Sequence, residues 1–426
     1  MKPTLALVDV NNFYVSCELV FNPKLRGKPV VVLSNNDGCI VSRSNEAKRL
    51  GIKVGMPWFE AKVRYKNHNV AALSSNYALY ADMSNRVMSV LEEFAPASEV
   101  YSIDEAFLDL SGLALKNMAE YGASIRQTVL QWTGLPVCVG IGSTKTLAKL
   151  ANVYAKKQPQ YDGLFDLNAL PEADGDAVLK TLPVGDVWGI GAPLAAKLKV
   201  LGIETVLNLK QAQPALLRDQ FSVVMARTIA ELNGVSCIEL EQIGPPRQNV
   251  STSRTFGVPV TSLQSLSEAV VFYTSRAAEK ARRQEALASA VSVYIKTSRF
   301  EKKGYSSGCQ TLALPVPTND SKQLAKLSLA ILRHIYRPGY RYQKAGVILS
   351  GLVPVSEGVT RDLFKEDDAQ YRQSQRLMAA LDRINNRFGR QTLKLASEGF
   401  TAPWQMKQEF KSPSYTTRWD HLLRVE

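Results

Sequence analysis

The sequence has 426 residues, of which 45% are apolar, which excludes a mainly disordered chain and predicts two to four domains. Because 52 Lys and Arg outnumber 39 Asp and Glu, the net charge is +13 and favours nucleic acid over an anionic membrane as the large partner. Short apolar runs exclude a membrane-spanning helix and a secretory signal, so we expect a cytoplasmic location. Five dispersed Cys and three isolated His exclude disulfide frameworks, thiolate zinc sites and Ser/His/Asp triads.

The first 157 residues predict a small mixed sheet backed by helices. Apolar and β-branched runs indicate strands at 4–10, 30–33, 39–42, 100–103, 106–110 and 137–141. Helical spacing indicates further segments that begin at Phe13, span 44–50, 77–94 and 125–132, and run from a Ser143 or Thr144 cap to about Lys157. This order contains a βαββαβ plan, which is typical of an α+β fold with a ferredoxin-like sheet.

The remaining chain predicts three further regions. Residues 187–205 contain short helices, and the Gly-Pro-Pro-Arg segment at 244–247 indicates a linker. Residues 251–353 are typical of an α+β region, with strands at 290–297 and 345–349. The last ~70 residues are polar and weakly patterned, so we expect them to form a peripheral tail.

Three acidic residues at strand ends are the strongest candidates for chemistry. Asp9 ends the first strand, while Asp104 and Glu105 lie between two later strands, so one sheet edge could bring all three together. Close carboxylates repel one another unless cations bind, and two Mg²⁺ ions about 3.5–4 Å apart are the usual apparatus of nucleotidyl transfer. Alternatively, Asp9 caps a turn and the acidic pair is a solvated hairpin tip, although the adjoining apolar strands argue against this.

Basic residues flank the same predicted sheet. Arg43, Lys48, Lys156 and Lys157, with Asn45 nearby, could hold a triphosphate or form an ordinary solvated surface. The Gly-Ile-Gly-Ser-Thr-Lys segment at 140–145 lacks the GxxxxGK[ST] order, which excludes a Walker A phosphate loop.

Residues 187–205 show the pattern of a helix-hairpin-helix motif. Gly189 and Gly191 would let backbone N–H groups approach a phosphate closely, which gives sequence-independent binding of a nucleic-acid backbone. The alternative is that both glycines serve packing alone.

A second basic region spans 253–303, where nine cations face four Glu and include Arg254, Lys296 and Arg299. Strand alternation predicts that Val291, Val293 and Ile295 share one face and that Ser292, Tyr294 and Lys296 share the other. The second face suits phosphate contact, and charge for solubility is the competing explanation.

Several dispersed blocks of this sequence resemble the Y-family translesion DNA polymerases. They are Asp-Val-Asn-Asn-Phe-Tyr at 9–14, Ser-Asn-Asn-Asp-Gly-Cys at 34–39, Tyr-Ser-Ile-Asp-Glu-Ala-Phe at 101–107, the Gly-Ile-Gly hairpin at 189–191, Ser-Arg-Thr-Phe-Gly at 253–257, Arg-Tyr-Gln-Lys-Ala-Gly at 341–346 and Ser-Pro-Ser-Tyr-Thr-Thr-Arg-Trp at 412–419. The resemblance covers nearly the whole chain. It implies a right-hand polymerase with a ferredoxin-like palm, small fingers, a helical thumb containing the helix-hairpin-helix, and an α+β little finger.

The same resemblance implies domain boundaries. They place the palm at 1–14 and 77–170, the fingers at 15–76, the thumb at 171–240, a linker at 241–250, a DNA-binding little finger at 251–354 and a partner-binding C-terminal tail at 355–426.

The resemblance also implies roles for matching positions. Asp9, Asp104 and Glu105 match the metal-binding carboxylates, and the Val10 carbonyl is a further ligand. Tyr14 matches the steric gate, whose ring would collide with a ribose 2′-OH, although a plain core aromatic is the alternative. Positions that match the triphosphate contacts are Arg43, Asn45, Lys48 and Lys156, of which Asn45 and Lys48 differ from the Tyr and Arg of many relatives.

The implied function is error-prone synthesis on damaged DNA in the SOS response, with two Mg²⁺ ions and without a dedicated base. The substrates would be primer-template DNA and deoxynucleoside triphosphates, and the implied partners are a UmuD′-like dimer, RecA and the sliding clamp. The clamp peptide corresponds to residues 360–364, which keep only its Leu-Phe pair. Two rival hypotheses are a non-catalytic DNA-binding subunit and a two-metal nuclease.

Overall fold

The computed structural model describes residues 3–113, 117–241, 247–299, 301, 304–357, 368–401 and 404–422. The chain forms two compact units. Unit 1 comprises Met1–Ser34, Gly38–Gly244 and Phe410–Glu426, and unit 2 comprises Asn35–Asp37 and Pro245–Glu409. No helix in the described part of the chain combines the length and the apolar character needed to span a membrane.

Unit 1 combines two sheets with a series of helices. Its elements are, in chain order, β1 (Leu5–Val10), α1 (Phe13–Phe21), β2 (Val30–Leu33), β3 (Ile40–Arg43), α2 (Asn45–Arg49), α3 (Trp58–Arg64), β4 (Ala71–Ser74), α4 (Tyr77–Glu92), β5 (Ala97–Val100), β6 (Glu105–Asp109), α5 (Met118–Thr133), β7 (Val137–Gly142), α6 (Lys145–Lys157), β8 (Leu164–Asp166), α7 (Glu172–Thr181), α8 (Ala192–Val200), α9 (Val206–Lys210), α10 (Pro214–Gln220) and α11 (Val223–Leu232).

The larger sheet of unit 1 has the strand order β5-β6-β1-β7-β8. Strand β1 is central and runs antiparallel to both β6 and β7, which is the ferredoxin-like arrangement that the sequence predicts, and β8 extends it in parallel to β7. All side chains from Leu5 to Val8 are buried because elements cover both faces of this central strand. An unbroken apolar run is therefore found instead of strict alternation.

The strand predicted at 100–103 ends earlier than expected, at Val100. The Ser102 hydroxyl accepts hydrogen bonds from the amides of Asp104 at 3.2 Å and Glu105 at 3.0 Å, which closes a tight turn before β6. A serine that binds nearby backbone N–H groups competes with strand pairing. The acidic pair therefore sits on a turn with fixed geometry at the start of β6.

Two glycines let helix α6 pack unusually close to β7. A Cβ atom on Gly140 would lie 2.1 Å from the backbone nitrogen of Asn152, and one on Gly142 would lie 2.6 Å from that of Ala148. The Thr144 side chain caps the helix by accepting from the Leu147 amide. The glycines of the 140–145 segment thus serve contact between helix and sheet, in agreement with the exclusion of a Walker A loop.

The second sheet of unit 1 has the order β3-β2-β4, with β2 antiparallel to β3 and parallel to β4. Its core is built from Val31, Leu33, Ile40 and Ile52. Helices α7 to α11 pack around a separate core, as the helical patterning of that region predicts.

Unit 2 is a sheet covered on one face by helices. Its elements are β9 (Asn249–Val260), α12 (Leu263–Arg283), β10 (Ala286–Thr297), β11 (Ser307–Thr318), α13 (Ser321–Ile335), β12 (Tyr342–Pro354) and α14 (Asp368–Phe388). The strands pair in the antiparallel order β11-β10-β12-β9. Val291, Val293 and Ile295 are fully buried on one face, as predicted. Ser292, predicted on the opposite face, is also buried, and its hydroxyl forms a hydrogen bond with that of Thr311 at 2.7 Å.

The prediction that the last ~70 residues form a peripheral tail is wrong at two positions. Trp404 is buried in the core of unit 2 against Phe272 and Tyr273, and Tyr415 is buried in the core of unit 1 against Phe21. Single aromatic rings in a polar segment can be buried without any periodicity, so sequence patterning gives no sign of them.

Candidate active site

The pairing of β1 with β6 brings the predicted carboxylates together. Asp9 lies directly opposite Glu105 in the register, and the Val10 amide donates to the Asp104 carbonyl at 2.9 Å. We call Asp9, Asp104 and Glu105, with Lys149 and Lys156, the carboxylate site. Two neighbouring antiparallel strands thus place three acids at one sheet edge.

Each acid of the carboxylate site has its own partner. Lys156 Nζ lies 2.5 Å from Asp9 Oδ1, and Lys149 Nζ lies 2.9 Å from Glu105 Oε1. The Ser102 hydroxyl donates to Asp104 Oδ1 at 2.6 Å. Two lysines therefore offset two of the three negative charges, and the third carboxylate has a hydroxyl donor but no cation in contact with it in the described residues.

Burial dominates the electrostatics of Asp9. It raises the pKa of this carboxyl from 3.8 to about 6, Lys156 opposes that change, and the charges of Glu105 and Asp104 add to it. A carboxyl with a raised pKa beside other anions marks a position where a further positive charge would be stabilising.

The donor chemistry of the carboxylate site fits a hard divalent cation such as Mg²⁺, which prefers carboxylate oxygens. Within the described residues, no three Asp, Glu, His or Cys side chains are grouped closely enough to hold a metal ion in this conformation. Asp9 and Glu105 are instead engaged with Lys156 and Lys149. A bound metal would therefore compete with these lysines for the carboxylate oxygens.

Lys149 is a functional candidate that the sequence analysis missed. Its ammonium lies 4.3 Å from the ring centre of Tyr101, 5.4 Å from Trp188 and 5.9 Å from Phe107, and the Trp188 indole donates to the Tyr101 hydroxyl at 3.0 Å. These rings hold the lysine at Glu105 through cation–π attraction. Its spacing from Lys156, two helical turns along α6, is the sequence signal that could have revealed it.

The predicted cations converge in part. Partial burial lowers the pKa of Lys48, and the charges of Arg43 and Lys156 lower it further, while Asp9 opposes them. These three cations therefore act on one another beside Asp9. Lys157 does not join them, because its ammonium pairs with Asp186.

Arg43 and Asn45 are already engaged in local contacts. The Arg43 guanidinium donates to the Ile52 carbonyl, and Asn45 Oδ1 accepts from Asn12 Nδ2 at 3.1 Å. Arg43 ends β3 and Asn45 begins α2, on either side of Ser44, whose side chain caps that helix. Contact with a ligand would compete with these hydrogen bonds.

Tyr14 lies in the first turn of α1 within a group of aromatic rings. Its ring stacks on Tyr80 with a centroid distance of 4.6 Å and meets Tyr77 edge-on at 6.4 Å. Burial raises its pKa, and the charges of Tyr77 and Asp104 contribute in the same direction. The ring is thus half-buried, braced from one side and within electrostatic reach of the carboxylate site.

The two glycines of the predicted helix-hairpin-helix have distinct positions. Gly189 has φ of +85° with open space around it, and Gly191 caps α8, accepting from the Leu194 and Ala195 amides at 3.0 and 2.9 Å. A positive φ favours glycine at position 189 because side chains with a Cβ atom rarely adopt it.

The basic residues predicted to bind DNA in unit 2 do not share one face. Lys296 lies on the face away from the buried row, with its ammonium 5.5 Å from the Tyr294 ring centre. Arg254 of β9 lies opposite Ala345 of β12, which lies opposite the buried Ile295 of β10. Because residues directly opposite one another in a sheet share a face, Arg254 belongs to the helix-covered face. Arg299 is exposed beyond the end of β10.

Four family models match this chain. The impB/mucB/samB family matches residues 8–153, the helix-hairpin-helix motif of that family matches 172–203, and its C-terminal domain matches 247–363. A domain of unknown function matches residues 375–425.

Solved Y-family structures share the fold of this chain. A chimera of the polymerases Dbh and Dpo4 has a TM-score of 0.66 at 22% identity, and DinB from Sulfolobus solfataricus has 0.52 at 23%. In both comparisons the match covers 82% of this chain and 99% of the other. The predicted right-hand fold class is confirmed.

Sequence relatives extend over the whole length. Protein UmuC of Salmonella typhimurium is 46% identical, covering 99% of this chain and 100% of that protein, and MucB of Escherichia coli is 40% identical, covering 97% of each. DNA polymerase IV of Desulfatibacillum aliphaticivorans is 28% identical, covering 92% of this chain and 95% of that protein. The chain therefore belongs to the impB/mucB/samB family of Y-family DNA polymerases, the enzymes of translesion DNA synthesis.

Proposed function

We propose that this chain extends primers across damaged template bases by two-metal nucleotidyl transfer within the SOS response. The observation that carries the proposal is the direct pairing of Asp9 with Glu105 beside the turn that holds Asp104. Three acids at one sheet edge supply the oxygen ligands that this chemistry needs.

Asp9, Asp104, Glu105 and the Val10 carbonyl would hold two Mg²⁺ ions. When bound, such ions lower the pKa of the primer 3′-OH and neutralise the triphosphate. The Ser102 turn fixes the backbone of both acids at positions 104 and 105, and Lys149 orients the Glu105 carboxylate. These contacts constrain Asp104 and Glu105, whereas the Asp9 side chain is engaged with Lys156.

Arg43, Asn45, Lys48 and Lys156 would bind the triphosphate, since three of them are cations that influence one another beside Asp9. Tyr14 would exclude a ribose 2′-OH with its ring, which Tyr80 braces from behind. The half-buried position of this ring fits a surface that touches the sugar edge of a bound nucleotide.

Backbone contacts to DNA would come from Gly189, Gly191, Arg254, Lys296 and Arg299. We assign the palm, fingers, thumb, linker, little finger and C-terminal tail to the boundaries given by the resemblance. The UmuD′-like dimer, RecA and the sliding clamp are the proposed partners. The peptide predicted to bind the clamp, at residues 360–364, lies outside the described residues.

Primer extension tests the proposed function. The full chain is assayed on undamaged and abasic templates, with and without a UmuD′-like protein and a RecA filament. Asp104→Ala is expected to abolish Mg²⁺-dependent extension while DNA binding persists, and Glu92→Gln, a change at an exposed glutamate of α4, serves as the control.

Two results would contradict the proposal. Failure of the unmodified chain to incorporate any nucleotide, even with its partners, would indicate a non-catalytic DNA-binding subunit. Loss of DNA in the absence of deoxynucleotides would indicate a nuclease.

A further inference from the structure

The last described residues of unit 1, 410–422, form a segment that we call the C-terminal segment. It lies within the region that matches a domain of unknown function. Its first residues extend the edge of the small sheet, because the Phe410 amide donates to Ser74 Oγ at 2.9 Å and the Ser74 amide donates to the Phe410 carbonyl at 3.0 Å. This end of the segment is therefore fixed to β4.

A buried network joins the C-terminal segment to helices α1 and α4. The Ser412 hydroxyl donates to Glu18 Oε1 at 3.0 Å and accepts from Asn76 Nδ2 at 2.9 Å. The Tyr80 hydroxyl donates to the same Glu18 oxygen at 2.8 Å. Glu18 is 1% exposed and Tyr80 is fully buried, so the geometry of this network is closely constrained by packing.

The other end of this network is the Tyr14 ring. Tyr14 and Glu18 are one turn apart on α1 and share a helix face, so both contact Tyr80 from α4. Tyr80 stacks on Tyr14 at an interplanar angle of 23°. The hydroxyl of Tyr80 is held by Glu18, and its ring supports Tyr14.

A second anchor holds the end of α1. The ring of Tyr415 stacks on Phe21, the last residue of that helix, with a centroid distance of 5.0 Å and an angle of 9°. The C-terminal segment therefore contacts α1 through both Glu18 and Phe21.

We propose that the C-terminal segment is a positioning element for Tyr14, acting through Ser412, Glu18 and Tyr80 on the ring that discriminates between deoxyribose and ribose. This inference rests on the proposed function of Tyr14. Loss of the Ser412 hydrogen bond frees one side of Glu18, loosens Tyr80 and lets the Tyr14 ring move away from the sugar position. Discrimination between the sugars then falls more than synthesis itself.

The test is the ratio of kcat/KM for a deoxynucleotide to that for the matching ribonucleotide, measured on the full chain. Ser412→Ala and Tyr80→Phe are each expected to lower this ratio about fivefold, the effect of one lost buried hydrogen bond. Ser412→Thr keeps the hydroxyl and is expected to keep most of the ratio. Thr417→Ala, at an exposed position of the same segment, is the matched control and should leave it unchanged.

The Tyr14→Ala variant distinguishes failure of the positioning role from failure of the proposed steric gate. A relaxed ratio in Tyr14→Ala with an unchanged ratio in Ser412→Ala overturns the positioning role of the C-terminal segment alone, whatever the result for Tyr80→Phe. An unchanged ratio in Tyr14→Ala overturns the steric gate and the positioning role together. An equal fall in kcat/KM for both nucleotides would indicate a merely structural contact. If Ser412→Ala fails to fold, Tyr80→Phe, which removes a single oxygen atom, still tests the link between Glu18 and Tyr80.

Discussion

At the carboxylate site of unit 1, each acid forms an ion pair or a hydrogen bond with one specific side chain. The basic residues of the unit 2 sheet are instead divided between its two faces. Lys156 and Lys149 lie within 2.9 Å of their carboxylates, and these pairs are half-buried or deeper. Arg254 and Lys296, in contrast, project from opposite faces. The first arrangement suits chemistry that depends on exact positions, and the second suits a diffuse attraction to a phosphate backbone.

Removal of a central carboxylate is expected to have the largest effect. Asp9→Asn keeps the shape of the side chain but removes the charge that a metal would need, so kcat/KM for primer extension should fall on the order of a thousandfold. Primer extension under steady-state conditions measures this, with Glu92→Gln as the control. A variant that retains more than a tenth of the activity would show that Asp9 is not a metal ligand.

A smaller loss is expected when an acid keeps its charge but loses its partner. Lys149→Met leaves Glu105 without its ion pair, so activity should fall about 10–100-fold and half-maximal activity should need more Mg²⁺. Lys157→Met on the same helix is the matched control, because Lys157 pairs with Asp186. An unchanged Mg²⁺ requirement would mean that Lys149 only stabilises the fold.

Graded effects are expected in unit 2. Lys296→Gln should weaken DNA binding severalfold and reduce the slope of log K against log salt by about 1, because a single phosphate contact is lost. Arg254→Gln should change the slope less, because Arg254 belongs to the helix-covered face of the sheet. The exposed Lys326 of α13 provides the control, as Lys326→Gln. A larger effect from Arg254 would place the DNA along the edge of the sheet.

The smallest effect is on stability, and it has the opposite sign to the effect on activity. Burial raises the Asp9 pKa from 3.8 to about 6, so the folded protein binds the proton first as the pH falls. Ionised Asp9 therefore destabilises the fold at neutral pH, and this destabilisation is relieved below about 6. Asp9→Asn should melt a few degrees higher than the unmodified chain at pH 7.5, with a smaller difference at pH 5. A lower melting temperature at pH 7.5 would show that the Lys156 ion pair outweighs burial.

The carboxylate edge could be predicted because its signals are local. A buried apolar run before Asp9 and two short strands around the acidic pair leave few ways to build the sheet, and the observed register agrees with them. The sequence predicts a turn at the acidic pair but extends the preceding strand to Ile103, because Val100, Tyr101 and Ile103 favour a strand. Only the contacts of Ser102 with two amides reveal that the strand ends at Val100.

Other features could not be predicted because they depend on tertiary contacts. The face of Arg254 is set by the pairing of β9 with β12, two strands far apart in the sequence. The burial of Tyr415 depends on its stacking against Phe21, a residue almost 400 positions earlier in the sequence. Nothing in the sequence distinguishes Lys149 from a solvated lysine. Its role depends on contacts with Tyr101, Phe107 and Trp188, which come from other elements of the fold.

The tight approach of α6 to β7 has a consequence for residues far from the glycines themselves. Lys149 and Lys156 both project from α6, so the depth at which that helix rests on the sheet sets the height of both ammonium groups above the acids. A single methyl group added at Gly140 would collide with main-chain atoms and lift the whole helix. Gly140 and Gly142, which carry no functional group, thereby determine whether Lys149 and Lys156 can contact Glu105 and Asp9.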